Sequence, residues 1–173
     1  MEQCVTAHLQ RIGAYLQPGD YQALPEPSNH PVTASVIIPC RNRVRTIGDA
    51  IRSALSQEVR DGYSFNVIVV DDNSIDGTVD VIKSIQDERL IYIAQDKTWH
   101  AIGGNWNIAI RDPRCGKYAI QLDSDDTYHD STTVQRVIDA FESNGNQSIP
   151  TYGAVIGTYQ LTDMEGNILP PGV

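Results

Sequence analysis

Apolar and polar positions fall into a regular alternation along the chain, with short β-branched runs followed by stretches of three- and four-residue apolar steps. Near the start, Val5, Leu9, Ile12 and Leu16 recur at helical spacing and predict a short amphipathic helix over 4–16. Pro18 to Pro31 then carries four prolines among polar turn formers, which predicts a linker or an extended surface segment. Residues 1–31 are thus expected to form an N-terminal helix and Pro-rich linker, and 32–173 a single compact domain. Val32–Pro39 is β-branched, apolar and closed by a proline, the pattern of a buried strand. After the loop CRNRVR, Thr46 and Asp49 supply a helix-start signal, and Ile47, Ala50, Ile51, Ala54 and Leu55 form one apolar stripe.

The alternation then repeats. Phe65–Asp72 predicts a second buried strand ending on carboxylates, followed by the turn NSIDGT with Thr78 as a helix N-cap. Val79, Ile82 and Ile85 line a second helix, and Leu90–Ala94 predicts a third strand. Gly103 and Gly104 lead into a short helix over NWNIAIRD, and YAIQLD predicts the fourth strand. Val134, Val137, Ile138 and Phe141 mark a helix stopping at Asn144-Gly145, and YGAVIGTYQL, DMEGN and ILP predict a terminal strand and hairpin. Strands alternating with helices imply an α/β domain with a mostly parallel sheet covered on both faces.

Composition narrows the function classes. A net charge of −9 argues against nucleic acid or an anionic membrane surface as the main partner. No apolar run approaches the roughly 20 residues that span a bilayer, and the N-terminus lacks a signal-peptide pattern. Cys4, Cys40 and Cys115 are odd in number and widely spaced, which fits reduced thiols in a cytosolic protein better than a disulfide framework or zinc site.

Candidate chemistry lies where strands end. Tyr118 to Asp130 begins as an apolar run and breaks into Asp123, Asp125, Asp126 and Asp130. A D-x-D pair of hard oxygen ligands suits a divalent cation carrying phosphate oxygens, whereas acidic residues before a helix can also be simple N-terminal residues, the reading given to Asp126 and Asp130. Parallel strands bring their ends to one edge, so Asp71, Asp72, Asp123 and Asp125 are expected to converge on one crevice. Arg41, Arg43 and Arg45 beside Asn42 reach the same edge, where arginine pairs with phosphate or carboxylate; solvent-facing arginines are the plainer reading for Arg43 and Arg45. His100 and His129 flank this region as isolated histidines and read as surface or loop residues.

SVIIPCRNRVRTIGDAIRSALSQ, FNVIVVDDNSIDGT and YAIQLDSDD, in this order and spacing, resemble the family 2 glycosyltransferases from Ser35 to about Tyr128, and more weakly through the final hairpin. The resemblance implies a GT-A, Rossmann-like fold acting on nucleotide-diphosphate sugars, with a UDP-sugar favoured, an inverting outcome, and a role in cell wall or polysaccharide biosynthesis. It implies Pro39, Cys40, Arg41 and Asn42 as the wall against the nucleobase, and Asp72 as acceptor for a uracil-type ring N–H. It also places Asp123 and Ser124 at the ribose and diphosphate, Asp125 as ligand to Mg²⁺ or Mn²⁺, and Asp71 as a structural residue holding Asn73, Ser74 and Gly77. The expected location of the chain is cytoplasmic, at the periphery of the inner membrane.

Two departures stand out. Trp106-Asn107 replaces an Arg-Asn pair found in many members, leaving a diphosphate-holding role to Arg41, Arg43 or water, and Trp106 reads equally as a core residue. No acidic residue after Asp125 has a recognisable general-base pattern, since Asp163 and Glu165 read as turn residues. The chain is accordingly expected to be the donor-binding part of a metal-dependent glycosyltransferase, truncated before its acceptor site. The alternatives are a non-catalytic nucleotide-sugar-binding domain and a nucleotidyltransferase, the last disfavoured because the loop after the first strand has no glycine before Gly48.

Overall fold

Four apolar runs pair side by side in one parallel sheet of order β3-β2-β1-β4. The strands are β1 (Ala34–Cys40), β2 (Phe65–Asp71), β3 (Leu90–Ala94) and β4 (Tyr118–Gln121). The helices are α1 (Glu2–Arg11), α2 (Ile47–Leu55), α3 (Thr78–Ser84), α4 (Ile102–Arg111) and α5 (Thr133–Glu142). This computed structural model describes residues 2–12, 15, 29–95, 102–143, 153–163 and 166–170. The predicted linker lies almost wholly outside the described residues, as do His100, Glu165 and the Asn144-Gly145 stop signal.

Every residue of β1 and β2 is buried, as a parallel sheet covered on both faces requires. Successive side chains alternate between two cores. Val36, Ile38, Val67 and Val69 pack with Ile47, Ile51, Ile82, Val134 and Ile138 of α2, α3 and α5. On the other face Ile37, Ile68 and Val70 pack with Ala109 and Trp106 of α4. Each fully buried Val or Ile contributes about 1.5–3 kcal/mol relative to exposure, so these central strands hold the sheet. The edge strand β4 differs. Tyr118 and Ile120 are buried while Ala119 and Gln121 are exposed, and Tyr118 stacks on Phe141 with ring centroids 4.6 Å apart.

Some local expectations change. Helix α4 begins at Ile102 and so includes Gly103 and Gly104. Thr46 precedes α2 but its side chain makes no capping bond, and its Oγ1 is buried without a partner. Its backbone is already helical (φ −119°, ψ −29°), whereas a capping side chain needs an extended N-cap. Asp49 instead pairs with Arg52 at 2.8 Å. The terminal hairpin survives as one antiparallel bridge, Thr162 to Ile168, with Asp163 N–H bonded to Asn167 O at 3.0 Å; residues 154–161 form no strand. Val155, Ile156 and Tyr159 are exposed there, so the alternation lacks a buried face to hold it in register.

At the amino edge of the sheet, a buried polar chain ties three strands together. Gly116 N–H donates to Ser35 Oγ (2.7 Å), Ser35 donates to Asn66 Oδ1 (2.5 Å), and Asn66 Nδ2 donates to Arg114 O (2.8 Å). Gly116 lies so close to β1 that an added Cβ would meet backbone atoms of Ala34 at 2.7–2.9 Å. Gly116→Ala is expected to destabilise the domain by about 1–3 kcal/mol, the usual cost of overpacking, in urea unfolding. An unchanged midpoint would show that the β1–β4 junction yields freely.

Candidate functional site

Parallel pairing brings the carboxyl ends of β1, β2 and β4 to the same side. Cys40 is in register with Asp71, and beyond the last β1–β4 pair Leu122 N–H still bonds to Ile37 O at 3.1 Å. The chain then leaves the sheet on polar residues. A cleft of about 600 Å³ opens at this edge, lined by Pro39, Cys40, Arg41, Arg43, Asp72, Ile102, Asn105, Asp123, Ser124 and Asp125. A second cavity of about 530 Å³ lies at the opposite edge, around Phe65, Asn66, Arg89 and Arg114. It contains none of the strand-end aspartates.

Seven of the eight residues singled out from sequence line the carboxyl-edge cleft. The exception is Asn42, which is exposed and ties two loops together. Its N–H donates to Ser74 Oγ at 2.8 Å, and its Oδ1 accepts from Ile75 N–H at 2.9 Å. Both Asn42 (φ 51°) and Asn73 (φ 58°) adopt the left-handed conformation that asparagine tolerates better than most residues. Asp71 is buried and accepts from Ser74 N–H at 3.1 Å and from the Ser74 hydroxyl, while Cys40 Sγ approaches it at 3.6 Å. Asp76 accepts from Val44 N–H (3.1 Å), Thr78 N–H (3.1 Å) and Thr78 Oγ1 (2.5 Å). These bonds, the Thr78 hydroxyl first, hold the Asp76 carboxyl below the usual carboxylate range. The loops after β1 and β2 are thus one cross-linked unit, and Asp72 sits on it.

Each cleft carboxylate faces a donor. Arg41 Nη1 lies 3.5 Å from Asp72 Oδ2, Arg43 Nε lies 3.7 Å from Asp125 Oδ2, and Gln121 Nε2 donates to Asp123 Oδ1 at 2.8 Å. Arg43 and Asp125 are both about half exposed, so their pairing is weak and leaves both groups available to a ligand. Asp126 does not begin a helix; it stands in the D-x-D turn, its N–H bonded to Asp123 O at 3.1 Å. Partial burial and then Asp123 and Asp125 raise its carboxyl above the usual range. Asp130 does serve the next helix, accepting from Thr132 N–H and Oγ1 at 2.8 Å each. His129 is exposed. Among the described residues no three His, Cys, Asp or Glu side chains gather into a metal-binding group. Any cation held by the D-x-D oxygens would take most of its ligands from phosphate and water, as Mg²⁺ commonly does.

Sequence reasoning missed Asn105 and Ile102, which α4 presents to the cleft, while Trp106 turns into the core against Ile37, Ile68 and Val70. The helical stripe Ile102, Asn105, Ala109 carries the signal, one polar residue amid apolar steps, but its meaning depends on which face meets the sheet.

A doubly covered parallel sheet whose strand-end aspartates border one cleft defines an α/β protein with its cleft at the carboxyl edge, where open α/β sheets bind ligands. The sequence model of the family described as Glycosyl transferase family 2 matches residues 35–169. The chain belongs to that family. It is 37% identical over 111 residues to the succinoglycan biosynthesis protein ExoO of Rhizobium meliloti, covering 64% of this chain and 30% of ExoO. It is 36% identical over 109 residues to the UDP-Glc:alpha-D-GlcNAc-diphosphoundecaprenol beta-1,3-glucosyltransferase WfaP of Escherichia coli, covering 63% of this chain and 41% of WfaP. The fold superposes on S. aureus TarS 1-349 in complex with UDP-GlcNAc with TM-score 0.57 and 26% identity, over 65% of this chain and 31% of that one. The matched regions thus span less than half the length of these relatives.

Burial and then the Asp71 carboxylate raise the Cys40 thiol well above its ordinary range, and burial raises Cys115. Neither thiol is therefore expected to react with iodoacetamide at pH 8 until urea is added, as read by peptide mass spectrometry. Rapid labelling of Cys40 in the folded protein would show that the cleft floor opens.

Proposed function

We propose that this chain is the donor-binding part of a metal-dependent glycosyltransferase that transfers a sugar from a nucleotide diphosphate sugar, a UDP-sugar by preference, to an acceptor. The convergence of Asp72 and the D-x-D carboxylates on one cleft carries this reading. β2 and β4 flank β1, so the ends bearing Asp72 and Asp123 lie roughly 10 Å apart, two strand spacings. A nucleoside diphosphate spans such a distance. Pro39, Cys40 and Arg41 then wall the nucleobase, Asp72 accepts a ring N–H, and Asp123 and Ser124 meet the ribose and diphosphate. Asp125 is the proposed ligand for Mg²⁺ or Mn²⁺, which when bound neutralises charge that develops on the departing diphosphate.

Arg43 takes the part that Trp106 cannot. Its guanidinium stands beside Asp125 with half its surface exposed, well placed to exchange that weak pair for a charge-assisted bond to phosphate. Among the described residues the cleft lining holds three carboxylates, Asp72, Asp123 and Asp125, each already given a donor-side role in this reading. This keeps in view a second reading, a domain that binds a nucleotide sugar without transfer. The name of ExoO supports a role in polysaccharide biosynthesis, and that of WfaP supports UDP-glucose as a donor and a diphosphoundecaprenol-linked acceptor. Among the described residues no helix is long and apolar enough to cross a membrane; the proposed location is cytoplasmic, peripheral to the inner membrane.

Calorimetric titration with UDP tests this. Mn²⁺ is expected to strengthen binding at least tenfold, and Asp125→Ala to abolish the gain while leaving metal-free binding in place. Arg43→Ala is expected to weaken UDP about tenfold, the loss of one charge-assisted bond of roughly 1.5 kcal/mol. Equal binding with and without Mn²⁺ would remove the metal from the proposal. UDP-sugar hydrolysis by the wild-type chain would set aside the binding-only reading.

A further inference from the structure

We infer that Asn105, held by Gln95, is a nucleoside-binding residue of the cleft and the polar contribution of α4 to donor recognition; this rests on the donor-site reading. Asn105 is 4% exposed and yet lines the cleft. A carboxamide so deeply buried is normally satisfied on both its donor and acceptor sides. Here its Oδ1 accepts from Gln95 Nε2, an amide that is itself buried. The bond fixes the rotamer of Asn105 and commits its oxygen, so that its NH₂ is the group left to serve a ligand.

Its position selects the end of the ligand. Gln95 follows β3, and its backbone N–H bonds to Asp71 O at 3.1 Å, one residue before Asp72. The pair therefore stands on the β2 side of the cleft, with Asp72, whereas the D-x-D carboxylates stand beyond β1 on the β4 side. One helical turn before Asn105, Ile102 adds an exposed apolar surface to the same cleft. An apolar face, an amide donor and a carboxylate acceptor side by side match a planar heterocycle that presents a carbonyl beside a ring N–H. They match a diphosphate less well, for which Asn105 would offer one neutral donor on the β2 side of the cleft.

The test compares two probes on the 173-residue chain: whichever of UDP, GDP and dTDP binds the wild type, and inorganic diphosphate with Mn²⁺. Asn105→Ala is expected to weaken the nucleotide about five- to tenfold, one hydrogen bond's worth, and to leave diphosphate binding unchanged. Gln95→Ala leaves the cleft lining intact and is expected to show the same split at smaller size, so a folding defect in either variant does not remove the test. Unchanged nucleotide affinity in both variants, or equal losses for nucleotide and diphosphate, would overturn the inference alone. Failure of the wild type to bind any of the three nucleotides would overturn the donor-site reading, and the inference with it.

Discussion

In-register pairing of β1 with β2 on one side and β4 on the other is the constraint on which the cleft depends. It sets Cys40 level with Asp71, while β4 leaves the sheet three residues earlier along β1, with Leu122 N–H still bonded to Ile37 O, so all three strands release their polar residues at the same edge. A slip of one residue would exchange the two cores and turn every strand-end side chain to the opposite face. Complete burial of β1 and β2 on both sides makes that slip costly, since apolar residues of both faces hold the register. The buried Ser35–Asn66–Gly116 chain fixes the same register from the amino edge, where a misplaced strand would leave its polar groups without partners.

Strand position alone does not fix the loops. Those after β1 and β2 bond to each other through Asn42, Ser74, Asp76 and Thr78, so that Asp72 is carried on a braced support. The D-x-D side is looser. Asp125 is about half exposed and its ion pair with Arg43 is weak, as suits a group that must exchange partners with a ligand. On the proposed reading, the braced loops carry the nucleoside end of the ligand and the looser side its diphosphate.

Much of this was legible in the chain. Apolar runs that end abruptly on Asp71-Asp72 and on Asp123-Ser124-Asp125 point to both strands, and parallel pairing puts their ends at one edge. Features that depend on packing across the molecule were not. Thr46 and Asp49 have the spacing of a cap, yet the turn from Arg43 brings Thr46 into the helix already helical, and Arg52 takes the carboxylate. Alternation at 152–161 suggested a strand, but a pattern needs a partner to become a ladder, and among the described residues of this segment only Thr162 and Ile168 pair. Asn105 was invisible for the same reason. Its role follows from the face of α4 that meets the sheet and from an amide ten residues earlier.

A nucleoside diphosphate and its cation are proposed to occupy the carboxyl-edge cleft. Paramagnetic broadening by Mn²⁺ in a ¹H–¹⁵N spectrum, recorded with UDP present, tests this most directly. The account predicts that amides of 123–126 and 41–43 broaden first, that Asp72 shifts on UDP addition, and that Ser64, Asn66 and Gly116 at the far edge stay sharp. Broadening centred on the far edge, around the cavity at Phe65 and Arg89, would contradict it.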